Sequence, residues 1–209
     1  MQPLSAEEWS EAEYAAFGTL MGIPGEKVPR AGSGHAYEPL NFPVIGLLAR
    51  HPTLAQAFLT FNVHLLRHGE LPADLRELVV LRVAIKHRSA FEWGQHVKFA
   101  LATGVTEEEI SALVEGNEGF TGHRLLVLQA ADELLATGRA GSTWEQLVDQ
   151  LGVHQAMEVL FLVGAYITTG MAFNTWGLQP QPGSAALPAD DDAVGGLQHI
   201  PGAFGNIAL

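Results

Sequence analysis

The sequence predicts an all-α fold, and three observations carry that prediction. Apolar residues make up 47% of the 209-residue chain, enough for a sizeable buried core. From residue 44 onward they recur at three- and four-residue spacing between Gly, Pro and Ser/Thr punctuators. β-branched residues are modest in number, and no alternating apolar–polar stretch marks a strand.

The elements follow in order. Ser5 with Glu8 forms a capping box, and Trp9, Ala12, Ala16 and Leu20 continue it as one amphipathic helix over residues 5–20. Gly and Pro recur through residues 21–43, which read as an irregular arm. Pro43 starts a short helix to Leu48. His51-Pro52 opens another to Arg67, with Leu54, Phe58, Phe61 and Leu65 as its stripe and Gly69 as its C-cap. Pro72 sits in the first turn of a helix that runs to His87, and Ser89 opens one ending near Thr103-Gly104. Thr106 and Glu109 box the start of a helix to Glu115, and residues 119–137, 142–151 and 153–177 supply three more. Short loops between them imply antiparallel neighbours. From residue 178 on, Pro180, Pro182, Pro188 and the Asp190–Asp192 run break the pattern, and the closing IPGAFGNIAL is apolar enough to dock on a neighbouring subunit. The chain thus divides into an N-terminal helix and arm (1–42), a helical domain (43–180) and an irregular tail (181–209).

Composition excludes several functions. There is no cysteine, hence no disulfide, thiolate metal site or thiol redox chemistry. Eleven Lys and Arg against 23 Asp and Glu give a formal net charge of -12, a surface that repels nucleic acid and anionic membranes. The acidic N-terminus lacks the basic region of a signal peptide, and no unbroken apolar run suggests a membrane span, so a cytoplasmic protein is expected. No phosphate-binding or dinucleotide fingerprint is present. His64 and His68 share a helix face but have no obvious third ligand, so neither a metal nor a cofactor is expected.

Candidate chemistry centres on SAFEWGQH, residues 89–96. Glu92 and His96 are four apart and share one helix face. The preceding helix carries Glu77, and a hairpin turning near Lys86–Ser89 brings Glu77 level with His96. Two carboxylates and an imidazole, whose ordinary pKa is about 6.5, then meet at one place, as acid–base catalysis requires. The same residues admit a structural reading: a Ser89–Glu92 capping box, an exposed Glu92–His96 pair, and Glu77 complementing a helix dipole. Arg88, Ser89 and Trp93 are the candidate substrate-binding residues, Arg88 as a bidentate partner for a carboxylate and Trp93 as a pocket wall or core residue. Arg82 also flanks the site in sequence, and for Arg88 and Arg124 alike a surface or intersubunit salt bridge is the alternative to binding a carboxylate.

The run from Leu71-Pro72 and Arg76-Glu77-Leu78 through Phe91-Glu92-Trp93, His96, Ala100 and Gly104–Ile110, with Tyr166 and Asn174–Leu178 later, resembles the carboxymuconolactone decarboxylase family over residues 43–180. That family shares its fold with the alkylhydroperoxidase D proteins, so the resemblance implies a helical bundle of that type. Its peroxidase branch has a glutamate, a Cys-x-x-Cys pair and a histidine; Glu77 and His96 match the outer two positions, while Ser89 and Glu92 stand where the cysteines would be. Thiol peroxidase activity is therefore not expected, and the branch without the cysteine pair is the better match. The resemblance implies a cofactor-free lyase or isomerase acting on a small ring, such as a lactone bearing a carboxylate. His96 would be general acid–base, Glu92 would orient it or share its proton, and Glu77 would hold the network. It also implies a homo-oligomer, a trimer or hexamer. The helix over 153–177, apolar nearly all round, needs cover on every side in agreement with this. The alternative is a non-catalytic oligomeric protein that binds a small molecule, which a site without a cavity would favour.

Overall fold

The computed structural model describes residues 1–189; the acidic run and the apolar end expected to dock lie outside the described residues. Nine α-helices occur among the described residues. They are α1 (Glu11–Met21), α2 (Pro43–Leu48), α3 (Pro52–Val63), α4 (Ala73–Lys86), α5 (Ala90–Ala102), α6 (Glu107–Glu115), α7 (Gly122–Thr137), α8 (Thr143–Leu151) and α9 (Val153–Trp176). No strand occurs among the described residues, as the all-α expectation requires.

The core has two main parts. In one, α4, α7, α8 and α9 bury Val79, Val83, Val127, Leu147, Val159 and Leu162 against one another. In the other, α4 and α5 close with α6 and α7 around Leu78, Leu81, Trp93, Val105, Leu113 and Leu128. Helix α4 serves both and is buried on every face from Leu78 through Ile85, which is why that stretch is a continuous apolar run broken only by Arg82. The terminal nitrogens of Arg82 find partners inside the protein, while its Nε is buried without one among the described residues. Its guanidinium donates to the Gly116 carbonyl at 2.5 Å and to Asn117 Oδ1 at 2.9 Å, and it lies 3.6 Å from Asp132. Arg124 ties Asp74 at 3.0 Å and pairs with Glu109.

A third cluster, Tyr14, Phe17, Val28 and Ile45, fastens the N-terminal arm to the bundle. Here the structure departs from the expected single helix over 5–20. A short 3₁₀ turn (Ala6–Glu8) capped by Ser5 ends at Trp9, whose backbone is extended, and Ser10 with Glu13 forms a second capping box that starts α1. Each serine competes for the backbone donors of its own turn, which splits one periodic stretch into two elements.

Helix α3 also differs in its buried face. Ala55, Leu59 and Val63 are buried, whereas Leu54 and Phe61 of the expected stripe are exposed. The helix widens into a π turn over His64–His68, which shifts the apolar register and buries Leu65. Gly69 ends this segment in an extended conformation, not the left-handed one of a C-cap glycine. A Cβ there would lie 2.8 Å from the Glu158 carboxylate, which accepts from the Glu70 and Leu71 backbone N–H groups at 2.9 and 2.7 Å.

Helix α9 is long and apolar enough to cross a membrane by length and composition, contrary to the expectation that no segment would be. Half of that window is buried within the protein, where α9 packs on α4, α7 and α8.

Candidate acid–base site

The turn between α4 and α5 fixes the site. His87 closes α4, Arg88 adopts φ +53°, and Ser89 begins α5. Left-handed backbone at a non-glycine residue costs about 1 kcal/mol and reverses the chain within three residues. The two helices then run antiparallel in close contact, and Glu77 and His96, nineteen positions apart, meet.

His96 Nδ1 lies 2.6 Å from Glu77 Oε2. The other Glu77 oxygen accepts from Arg76 Nε at 3.0 Å, with a second Arg76 nitrogen also at 3.0 Å. The far ring nitrogen, Nε2, lies 3.0 Å from the Tyr166 hydroxyl of α9 and 3.4 Å from Glu92 Oε2. Glu77, Glu92, His96 and Tyr166 are all buried. Glu77 thus holds one side of the ring, and Nε2, shared between Tyr166 and Glu92, is the nitrogen on the cavity side.

Burial alone would push the His96 pKa down. The hydrogen bonds and charges of Glu77 and Glu92 outweigh it and raise the pKa to about 9. His96 therefore rests as an imidazolium at neutral pH, donating from both nitrogens. Burial, with the two nearby carboxylates, raises the Tyr166 phenol well above its ordinary value, so Tyr166 keeps its proton.

Glu92, His96 and Tyr166 face a cavity of about 240 Å³. Its other walls come from the arm and α2 (Phe42, Ile45, Leu48), α3 (Phe58, Asn62) and α9 (Phe173). Among the residues lining it there is no Arg or Lys. Gln95 Nε2 and Asn62 Oδ1 are buried in this wall without a protein partner among the described residues, leaving one donor and one acceptor for a bound molecule.

The sequence-predicted residues separate into groups. Glu92 and His96 line the cavity, and Glu77 stands behind His96 as a positioning residue. Ser89 makes no side-chain cap, so the expected capping box with Glu92 does not form and Glu92 turns to His96 instead. Ser89 is buried against Gly170 of α9, outside the cavity lining. Trp93 faces the opposite way, its indole donating to the Ala186 carbonyl at 2.9 Å. Arg88 is likewise not among the cavity-lining residues. Asn174 is exposed and donates to the His87 carbonyl at 3.0 Å, bracing the turn. No group of three or more potential metal ligands occurs among the described residues, and His64 and His68 lie on a separate surface. Sequence reasoning did not assign roles to Arg76, Tyr166, Gln95 or Asn62. The signal for Gln95 is its place beside His96 on α5; Tyr166 and Asn62 come from distant helices and leave no local signal.

Residues 52–132 match the model of the carboxymuconolactone decarboxylase family. That segment, 81 of the 209 residues, is what is similar to the family. It contains Arg76, Glu77, Glu92, Gln95 and His96, whereas Tyr166, Phe42 and Phe173, which complete the cavity, lie outside it. The fold is that of the AhpD-like proteins: a crystal structure of a protein of unknown function from Agrobacterium tumefaciens, described as a candidate AhpD antioxidant defence protein, superposes with a TM-score of 0.57 at 20% identity, covering 63% of this chain and 93% of that one. No curated protein matches this chain.

Proposed function

We propose that this carboxymuconolactone decarboxylase-like protein is an acid–base enzyme that works with its own side chains, without a cofactor, on a small ring or lactone bound beside His96. The observation that carries this reading is a histidine with one nitrogen fixed by a buried glutamate and the other directed, with Glu92, into a cavity. A buried imidazolium is a ready proton donor. In a decarboxylation, loss of CO2 from a carboxylated lactone leaves an electron pair delocalised over the ring, and Nε2–H delivers the proton that forms the new C–H bond. In an isomerisation, Glu92 takes a proton from one ring carbon and His96 gives one to another. Gln95 Nε2 is placed to hydrogen-bond a ring carbonyl as negative charge builds on its oxygen. A carboxylate on the ring finds its positive partner in the imidazolium itself.

The test is hydrogen–deuterium exchange at the ring carbons of 5-methyl-2(5H)-furanone and of a carboxylated butenolide in D2O, followed by proton NMR. Wild-type protein is expected to accelerate exchange or CO2 release, and His96→Gln to abolish the acceleration. Turnover unchanged in His96→Gln removes His96 from the mechanism; binding without exchange or CO2 release supports the non-catalytic reading.

The assembly is proposed to be a homo-oligomer, a trimer or hexamer, in the cytoplasm. Its support is an apolar face left uncovered on α9 and α3, where Met157, Phe161 and Met171 are exposed and Phe61 packs edge-on to Phe161 at 6.0 Å.

A further inference from the structure

A second chamber, of about 360 Å³, lies beside the cavity that holds Glu92 and His96. The two share a wall of four side chains: Leu48, Phe58, Thr169 and Phe173. Beyond that wall the second chamber is bounded by Leu54, Ala55, Ala172 and Trp176, with Arg50 and His51 also lining it. Apart from those two, its surroundings are almost wholly apolar. An apolar space of about 150 Å³ takes up a benzene-sized guest in preference to water. This space is more than twice that volume and is open to solvent on one side, where Leu54 is exposed.

An aromatic row links the two spaces. Phe91 of the first cavity meets Phe173 edge-on at 5.4 Å, and Phe173 meets Trp176 of the second at 6.0 Å. The acid–base groups sit at one end: Glu92, Gln95, His96 and Tyr166 line only the first cavity, and the charged or titratable side chains of the second are Arg50 and His51. A ring carrying several carboxylates would use the polar end and leave the apolar chamber without a function.

We infer that the substrate is a lactone or related carbonyl ring bearing an apolar substituent, an alkyl or aryl group of about five to eight carbons, which passes Phe58 and Phe173 to lie against Leu54, Ala172 and Trp176. This rests on the reading that the cavity beside His96 is the reacting site. The substituent sets affinity and the ring end carries the proton transfer, so the two can be tested apart.

The experiment is calorimetric titration of full-length protein with 5-alkyl-2(5H)-furanones from methyl to octyl. Burying each added methylene is expected to tighten binding about fourfold until the chamber is full. Ala172→Trp obstructs the chamber next to the shared wall and should flatten the series, and Ala172→Leu, a milder change, should shorten the chain length at which the gain stops. The methyl member, too short to pass the shared wall, keeps its affinity in both variants and so reports an intact fold. His96→Gln should keep the chain-length dependence, whatever it does to turnover; failure of the acid–base reading is thereby separated from failure of this one. A flat series in wild type, or an unchanged slope in both Ala172 variants, overturns the inference. So does a flat series that steepens only when the protein is diluted to a smaller species, since a second copy of the chain then fills the chamber.

Discussion

The resting imidazolium makes a prediction about folding that needs no substrate. His96 is buried, with its pKa raised from 6.5 to about 9 in the folded protein. Between those values the folded chain holds a proton on His96 that the unfolded chain does not. Stability from this group is therefore complete below about pH 6.5, falls as pH rises, and is gone above about 9. The gap, at about 1.4 kcal/mol for each tenfold step in proton affinity, is worth on the order of 3 kcal/mol. Urea unfolding of wild type and His96→Gln from pH 6 to pH 10 measures it. Other groups titrate in both proteins, so the difference between the two curves isolates His96. At a typical slope of about 2 kcal/mol per molar urea, the wild-type midpoint should lose roughly 1.5 M more than the variant's across this range. Parallel curves would refute the reasoning, because His96 would then hold no extra proton in the folded state.

Other outcomes follow from the same contacts. Glu77→Gln removes the partner on Nδ1 and leaves Arg76 facing a neutral amide; it should cost about 3 kcal/mol in denaturant unfolding and lower the pH at which His96 titrates by NMR. Glu92→Gln, which leaves the Glu77–His96 pair in place, should reduce exchange at a lactone carbon by about a hundredfold or more while the helical circular dichroism is unchanged. Gly18→Ala puts a Cβ 2.5 Å from the Ile23 carbonyl and 3.0 Å from the Gly25 nitrogen, so it should cost about 1–3 kcal/mol and raise proteolysis of the arm that walls the cavity. Phe161→Lys, in the centre of the uncovered α9 face, should lower the mass seen by light scattering to that of a smaller species.

The fold and the heart of the site were legible for physical reasons. Pro43, Pro72 and the Thr106–Glu109 box mark helix starts through interactions confined to a few residues, and they recur where expected. The Glu77–His96 meeting follows from hairpin arithmetic alone, since similar lengths of helix lie on either side of the Arg88 turn. Ser89 and Glu92 fit a capping box by spacing, but a buried imidazolium offers the carboxylate more than a backbone N–H does, and tertiary contact decides. The α3 stripe was misplaced by one position because periodicity near a π turn does not reveal which face meets the core. The cavity had no sequence signal, because its walls come from the arm, α2, α3, α5 and α9, brought together only by packing. Trp93 and Arg88 lie near the site in sequence and outside the cavity lining in space: α5 turns the indole about its axis toward Ala186, and the Arg88 turn lies beyond the helix end.

The central claim is that Nε2 of an imidazolium meets a bound ring in the cavity. Proton–nitrogen correlation NMR of the ¹⁵N-histidine-labelled protein tests it most directly, with His96→Gln identifying the resonance and 5-methyl-2(5H)-furanone as titrant. The expected result is a doubly protonated ring at pH 7 whose Nε2 signal moves as the lactone saturates. A neutral ring at pH 7, or an Nε2 signal indifferent to saturating lactone, would contradict it.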